Sequence, residues 1–283
     1  MEHSFTRKTK YMAALNGQYA LITGATSGIG YELAKLFAKD GYNLVIVSRN
    51  EEELNNKAAE FSGTNGIQVV TIAKDLSTEN GPFEVYDEVK AKGIQVAVLV
   101  NNAAQGQYGK FAETDLQREL EIIRLNIVGY LVLTKLFLKE MVAHDEGKIL
   151  QVSSIGAKLP GPMQSVDHAT KAFIHSHAEA LAVELQDTNV TITSLLPGPT
   201  DTDFFNKAEM EHTKMVQDMP LGDPAKVAKD GYDALMSGDT KAISGTKNKI
   251  QVGMSNVVPD EAVSKYVNKQ MQPSDKAKKK NNQ

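Results

Sequence analysis

Short apolar runs alternate with amphipathic segments from about residue 18 to residue 200. Six runs have the length and the β-branched content of strands buried on both faces of a parallel sheet. The predicted strands cover residues 19–23, 43–47, 68–73, 96–100, 148–152 and 190–195. The segments between them repeat their apolar residues at helical spacing, and the predicted helices cover residues 29–39, 51–61, 83–92, 116–142 and 169–186.

Strands that alternate with helices predict an α/β fold, a doubly wound parallel sheet with right-handed crossovers. The predicted helix 116–142 is unusually long, and we expect a bend near Asn126 and Gly129. A further helix is predicted at 224–236, with Asp223 as its N-cap and Pro224 in its first turn.

The regular pattern weakens after Pro197, which divides the predicted organisation into four parts. Residues 1–17 form an N-terminal extension, and residues 18–202 form the main domain. Residues 203–273 add a short helical extension, whose polar, Met-rich stretch 204–219 is a candidate substrate lid. Residues 274–283 carry four lysines and are predicted to be a disordered basic tail.

Composition and charge narrow the classes of function. The 283 residues are 41% hydrophobic and 23% charged, and the net charge of −4 argues against a nucleic-acid partner. The sequence offers neither a bilayer-spanning apolar stretch nor an apolar core for a signal peptide, so we expect no membrane partner. Cysteine is absent, which excludes disulfides and thiol chemistry and fits a cytoplasmic location. No histidine–carboxylate spacing predicts a metal site.

A glycine-rich turn joins the first predicted strand to the first predicted helix. It reads Gly24-Ala25-Thr26-Ser27-Gly28-Ile29-Gly30. Such a turn lets the backbone approach a pyrophosphate, whose charge the helix N-terminus stabilises. The sequence therefore predicts a dinucleotide site here.

The spacing of these glycines resembles the classical short-chain dehydrogenase/reductase family, and further motifs extend the resemblance over residues 18–202. Asn101-Asn102-Ala103-Ala104 is similar to the family's turn after the fourth strand, and the segment Pro197-Gly198-Pro199-Thr200-Asp201-Thr202 to the one near the nicotinamide. The resemblance implies a Rossmann fold and cofactor contacts from Gly24, Thr26, Ser27, Gly28, Ile29, Gly30, Asp75, Leu76, Asn102, Ala103, Lys171, Pro197, Gly198 and Thr202. It also implies a small-molecule substrate and a homodimer or homotetramer.

The end of the second strand indicates which nicotinamide cofactor binds. An acidic side chain there binds the ribose hydroxyls of NAD, whereas arginine accommodates the 2′-phosphate of NADP. This sequence has Ser48 followed by Arg49. A hydroxyl beside a guanidinium favours a phosphate, so we predict NADP(H).

The resemblance implies four catalytic positions, and this sequence departs from the family at one of them. Asn126, Ser154 and Lys171 fit the pattern, in which Asn126 orders a water, Ser154 binds the substrate oxygen and Lys171 holds the ribose. Asp167 stands where the family has its proton-donating tyrosine, thirteen residues after Ser154. Lys171 lies one helical turn further on, so we expect an ion pair that keeps Asp167 ionised.

An ionised carboxylate cannot donate a proton, and we therefore expect low native redox activity. Three alternatives stay open at this point. His168 or a water is the donor in a working reductase, or Asp167 is a general base for elimination or isomerisation, whether natural or engineered. The last alternative is a cofactor-binding protein without enzymatic activity.

Several further side chains receive mainly structural interpretations. His168 is interpreted as a structural histidine, and His175 and His177 as surface or interface residues. Phe204, Phe205 and Tyr108 are candidates for the substrate pocket, whereas Met210, Met215 and Met219 fit either a lid or ordinary packing.

Overall fold

Seven parallel strands form one sheet at the centre of the computed structural model, which describes residues 17–255 and 257–275. Their spatial order is β3-β2-β1-β4-β5-β6-β7. The strands are β1 (Tyr19–Thr23), β2 (Asn43–Ser48), β3 (Val69–Ala73), β4 (Val96–Asn101), β5 (Gly147–Val152), β6 (Val190–Leu196) and β7 (Lys241–Ile243). The chain order reverses between β1 and β4, which confirms the predicted doubly wound α/β sheet.

The six predicted strands are all present, with ends that shift by at most one residue. The seventh strand was missed because it has only three residues at the sheet edge, and the first of them, Lys241, is exposed. So short a segment shows no hydrophobic period on which a prediction can rest.

Helices cover both faces of the sheet and continue beyond it. They are α1 (Gly28–Lys39), α2 (Glu51–Asn65), α3 (Gly81–Ala91), α4 (Leu116–Ile123), α5 (Tyr130–His144), α6 (Ser165–Glu184), α7 (Phe204–Lys207), α8 (Lys214–Gln217), α9 (Pro224–Ser237), α10 (Thr246–Ser255) and α11 (Asp260–Met271). The predicted cap of α9 is confirmed, since the Asp223 side chain accepts a hydrogen bond from the Ala225 N–H at 2.9 Å.

Two apolar layers hold the helices against the sheet. On one face Phe37 of α1 packs edge-on against Tyr232 of α9, with ring centres 4.9 Å apart. On the other face Tyr86 of α3 meets Phe137 of α5 at 5.2 Å. The central strands are therefore buried on both sides, as their continuous apolar sequences predict.

The predicted helix 116–142 is divided by a π-helical turn at Arg124–Gly129, which lies between α4 and α5. The turn falls where the bend was expected. A wider turn rotates the side chains that follow it, and such turns concentrate at functional sites. It places Asn126 in the interior with 1% of its surface exposed.

The C-terminal extension forms a third apolar cluster beside the carboxyl edge of the sheet. Phe205, Met210, Val252, Val263 and Met271 form part of its core. The predicted lid 204–219 contains α7 and α8, and Met210 is completely buried. None of the helices in the described ranges is long and apolar enough to cross a bilayer.

The prediction of a disordered tail from residue 274 is wrong at its first residue. Ser274 is completely buried, and its hydroxyl donates to the Asp218 carboxylate at 2.9 Å. A burial that depends on a partner 56 residues away leaves no trace in local composition. Residues 276–283 of the tail and residues 1–16 of the N-terminal extension lie outside the described residues.

Candidate active site

A cavity of about 1010 Å³ opens at the carboxyl ends of the strands, beside the reversal of strand order. It collects nearly all of the predicted site residues. Those on its wall are Gly24, Thr26, Ser27, Gly28, Ile29, Ser48, Arg49, Asp75, Leu76, Asn102, Ala103, Ser154, Asp167, Lys171, Pro197, Gly198 and Thr202. Gly30 and Asn126 are not among the wall residues.

Hydrogen bonds from the residues after β4 hold together the junction between β1, α1 and β4. The Asn102 side-chain amide donates to the carbonyl oxygens of Thr23 at 3.0 Å and Gly24 at 3.2 Å. The Thr23 hydroxyl oxygen accepts from the backbone N–H groups of Asn102 and Ala103 at 2.9 and 3.0 Å. The glycine-rich turn is thus fixed to the neighbouring strand before any ligand binds.

Glycine is required at three positions of this junction. Gly24 and Gly28 have φ angles of +66° and +56°, which side chains with a Cβ rarely adopt. A Cβ on Gly30 would lie 2.2 Å from the Gly24 carbonyl oxygen. Gly30 therefore lets α1 approach β1 closely, although it lies behind the cavity wall.

The N-terminus of α1 fits a pyrophosphate. Ser27 occupies the N-cap position, and its side chain makes no capping hydrogen bond. The first N–H groups of the helix consequently keep their capacity to donate, and the helix dipole favours an anion at this end. The residues present thus fit a dinucleotide cofactor.

Asn126 fixes the loop after β4 from behind the cavity. Its side-chain oxygen accepts from the Gln105 N–H at 3.0 Å, and its amide donates to the Gln105 carbonyl at 2.9 Å and to the Thr170 hydroxyl at 3.0 Å. The side chain thereby connects the π-helical turn, the β4 loop and α6. The structure gives Asn126 a positioning role; the water-ordering role stays a prediction.

Ser154, Asp167 and Lys171 lie together on the cavity wall, but the predicted ion pair is wrong. Among the ion pairs of the described residues, none joins Asp167 to Lys171. The Lys171 ammonium instead donates to the Val152 carbonyl at 3.4 Å. The Ser154 hydroxyl oxygen accepts from the Gly156 N–H at 2.9 Å.

Burial acts against the expected ionisation of Asp167. The side chain is 7% exposed, and the loss of solvent raises the pKa of its carboxyl above the ordinary value, although the charges of Lys171 and His168 act in the opposite direction. Burial likewise lowers the pKa of the Lys171 ammonium. The expectation that Lys171 keeps Asp167 ionised considered only the pair, whereas desolvation acts on each member.

The histidines divide between confirmed and corrected interpretations. The His168 Nδ1 lies 2.9 Å from the Leu159 carbonyl oxygen, and the ring fills the space beside Gly156 and Gly161. The structural interpretation of His168 is therefore confirmed, although its ring also reaches the cavity wall. The surface interpretation of His175 is wrong, because this ring is 2% exposed and its Nδ1 lies 3.0 Å from the Ser194 hydroxyl.

The C-terminal helices form a wall of the cavity that the sequence did not predict. α10 contributes Ile250 and Met254, and α11 contributes Val263, Tyr266 and Val267. The predicted Phe204 and Phe205 also line the cavity, whereas Tyr108 lies behind it and donates to the Met271 carbonyl at 2.8 Å. The apolar spacing of Val263 and Val267 was the one available signal for a helix at this position.

Comparisons with known proteins agree with this arrangement. The short chain dehydrogenase family model matches residues 18–213. The very-long-chain 3-oxoacyl-CoA reductase of Bos taurus is 33% identical over 64% of this chain and 59% of its own length. The 17-beta-hydroxysteroid dehydrogenase type 3 of Mus musculus is 33% identical over 70% and 65%. The chain thus spans about three fifths of the length of these curated relatives.

Solved structures extend the similarity to the C-terminal helices. One structure comes from work on the stereoselectivity of 7beta-hydroxysteroid dehydrogenase. It has a TM-score of 0.81 and 25% identity, and the match covers 91% of this chain and 99% of that one. L-Sorbose reductase from Gluconobacter frateurii, complexed with NADPH and L-sorbose, has a TM-score of 0.73 and 25% identity over 81% and 95%. A Burkholderia phymatum protein of the same fold contains NAD, with a TM-score of 0.76 and 22% identity over 92% and 98%.

In the described ranges, no group of three His, Cys, Asp or Glu side chains could hold a metal ion. The polar groups of the cavity are instead spread over the ends of several strands. This distribution suits a ligand that extends across the sheet edge.

The first prediction concerns the close approach at Gly30. We expect Gly30→Ala to unfold at lower urea concentration and to lose dinucleotide binding, since its Cβ would overlap the Gly24 carbonyl. Overpacking of this kind costs about 1–3 kcal/mol. Gly63→Ala in α2 is the matched control, because nothing lies within 4 Å of its Cβ, and it should gain about 0.5–1 kcal/mol. Equal effects of the two changes would contradict the overlap.

The second prediction concerns the acid sensitivity of His175. Burial, with Lys158 and Lys241 acting in the same direction and Glu179 against them, lowers its pKa from 6.5 to about 4. The unfolded chain then binds more protons between these values, so stability falls as the pH drops from 6.5 towards 4. His175→Gln should remove about 2 kcal/mol of this loss, measured by urea unfolding across that range. The exposed His144→Gln should leave the pH dependence as it is.

Proposed function

This chain belongs to the short chain dehydrogenase family, and we propose that it is an NADP(H)-dependent oxidoreductase that reduces a ketone or oxidises the corresponding secondary alcohol. The observation that carries this proposal is the cavity itself. The glycine-rich turn lines one end of this cavity, and Ser154, Asp167 and Lys171 line it as well. When bound, the cofactor supplies or accepts a hydride, and this chain's residues orient the substrate and manage the proton.

The preference for NADP(H) is supported by the end of β2. Ser48 and the exposed Arg49 both line the cavity, and no carboxylate stands at either position. A guanidinium offers paired donors to a phosphate, and a serine hydroxyl adds a neutral partner. A carboxylate there would repel the same phosphate.

An apolar substrate is supported by the outer half of the cavity. Phe204, Phe205, Met215, Ile250 and Met254 present hydrocarbon and ring surfaces there. Burial of such surface contributes about 25 cal/mol per Å² to binding a complementary ligand. The two relatives are named as a very-long-chain 3-oxoacyl-CoA reductase and a hydroxysteroid dehydrogenase. Both names refer to substrates with large apolar groups.

Each polar side chain at the inner end of the cavity receives a role. The Ser154 hydroxyl, which donates to the Pro197 carbonyl at 3.5 Å, would turn its proton towards the substrate oxygen. Lys171, whose ammonium donates to the Val152 carbonyl, would hold the ribose of the cofactor. Asp167, at the position of the family's tyrosine, would face the same substrate oxygen. A carboxyl is shorter than a phenol, which supports turnover that is real but slow.

A second candidate function follows from the burial of Asp167. A desolvated carboxylate is a stronger base, which would suit proton abstraction without any cofactor. This candidate ranks below the first because it leaves the dinucleotide end of the cavity without a purpose.

We further propose that the protein is a homo-oligomer. Exposed apolar side chains lie on α4, the π-helical turn, α5 and α6, among them Leu116, Val128, Leu131, Phe173 and Val183. Surfaces of this kind mark association between proteins.

The third prediction tests turnover. Loss of reduced-nicotinamide absorbance is followed over aliphatic, cyclic and steroid ketones for this chain, Ser154→Ala and Asp167→Tyr. We expect measurable reduction of the bulkier ketones, a drop of about 100-fold in kcat for Ser154→Ala, and faster turnover for Asp167→Tyr. Deuterium uptake by an acidic C–H substrate without cofactor, in place of reduction, would favour the second candidate.

The fourth prediction tests the choice of cofactor. Titration of nicotinamide fluorescence should give tighter binding of NADPH than of NADH. Arg49→Ala should weaken NADPH binding about tenfold and leave NADH binding unchanged. This loss is at the lower end of the range for a hydrogen bond to a charged group, because Arg49 is exposed. Equal losses for the two cofactors would show that Arg49 does not read the phosphate.

A further inference from the structure

Asp167 is a buried carboxyl that lacks the partners a buried charge needs. It occupies the first turn of α6, on the wall of the cavity beside Ser154. Its Oδ1 atom is enclosed and has no hydrogen-bond partner among the described residues. A carboxylate held in this way bears the cost of lost hydration with nothing at that oxygen to offset it.

The neighbours of Asp167 do not supply the missing compensation. The Lys171 ammonium is turned to the Val152 carbonyl at 3.4 Å, and the His168 ring to the Leu159 carbonyl at 2.9 Å. These two groups are the charges that act on Asp167, and both lie on its own helix. From the loop after β4 the neighbour is Gly106, which carries no charge and on which a Cβ would lie 3.5 Å from the Asp167 carboxyl carbon.

We propose that Asp167 carries a proton at neutral pH and is the proton donor of carbonyl reduction. The inference rests on the oxidoreductase function proposed above and assigns this function its acid. Because a neutral carboxyl needs no counter-charge, this geometry penalises the acid form much less than the carboxylate. The direction in which burial moves the pKa of Asp167 agrees with this assignment.

The proton and the electrons balance in a single step. The carbonyl carbon accepts a hydride, one proton with two electrons, from the reduced nicotinamide, which is thereby oxidised. The carbon–oxygen π bond breaks, and its electron pair takes the proton from the Asp167 carboxyl, so that the O–H bond of the acid breaks and that of the alcohol forms. Burial disfavours the carboxylate that results, which therefore regains a proton from solvent.

The fifth prediction measures the protonation of Asp167 directly. Infrared difference spectra are recorded on the full chain with bound NADPH, at neutral and alkaline pH, after labelling of aspartate with carbon-13. We expect the carbonyl stretch of a protonated carboxyl at neutral pH, shifted by the label and by heavy water. This band should be missing from Asp167→Asn and present in Asp233→Asn, an exposed control on α9 that pairs with Lys229.

A spectrum that shows only ionised aspartate at neutral pH overturns the proposal. It would make Asp167 a base rather than an acid.

Kinetics provide a readout that a merely structural role would not move. Asp167→Asn preserves the size of the side chain but has no transferable acid proton, so we expect kcat to fall about 100-fold with little change in KM. In the unmodified chain kcat should decrease as the pH rises through the apparent pKa of the Asp167–Lys171 pair, and this decrease should be missing from Asp167→Asn. Asp167→Glu should recover part of the rate and the pH dependence.

Failure of this inference can be distinguished from failure of the proposed function. If the chain reduces ketones and Asp167→Asn keeps the same rate and pH profile, the donor is another group and the oxidoreductase function stands. If NADPH binds but no ketone is reduced, Asp167 does not serve as a donor. If NADPH fluorescence shows no binding, the proposed function falls and this inference with it.

Discussion

The close contact between the end of β1, the start of α1 and the end of β4 is the constraint around which the rest of the molecule is arranged. Gly30 lets the helix approach the strand more closely than any side chain with a Cβ would allow, and Asn102 bonds to the carbonyls of Thr23 and Gly24. These contacts hold an uncapped helix N-terminus at the edge of the sheet. With this junction fixed, the residues that follow β5 and β6, such as Ser154 and Pro197, line the same cavity.

Desolvation is the largest influence on the pKa of three buried groups, Asp167, Lys171 and His175. Asp167 and Lys171 lie one helical turn apart but form no ion pair. Burial raises the pKa of Asp167 and lowers that of Lys171, and both shifts favour the neutral form. His175 behaves in the same way, with its Nδ1 at the Ser194 hydroxyl and its pKa lowered to about 4. In a protein interior, the desolvation cost of a charge exceeds its attraction to an opposite charge that does not contact it. For the candidate site, the consequence is a carboxyl whose pKa lies above its ordinary value, where the pair alone would predict a lowered pKa.

The C-terminal helices turn a dinucleotide-binding sheet into an enclosed site with an apolar half. α11 packs on α8, and Phe205, Val252, Val263 and Met271 belong to one apolar cluster from which α10 and α11 also reach the cavity. The segment is joined to the main domain through Tyr108, whose backbone N–H donates to the Ala208 carbonyl and whose hydroxyl donates to the Met271 carbonyl, so it forms a wall of the cavity rather than a separate unit. The dinucleotide end is thus built from loops after strands, and the substrate end from helices beyond the sheet.

Short stretches of sequence were enough to predict the parallel sheet, the glycine-rich turn and the unusual residue thirteen positions after Ser154. These features are local, because a strand or helix period and a motif spacing are complete within a short stretch of chain. The fold was needed to show that Asp167 lacks an ion-pair partner, that His175 is buried, and that α10 and α11 line the cavity. Burial and dielectric environment are sums over neighbours that are distant in sequence, so no local pattern records them. For Asp167, the helix alone predicts an ion pair with Lys171, whereas the fold buries the carboxyl and raises its pKa.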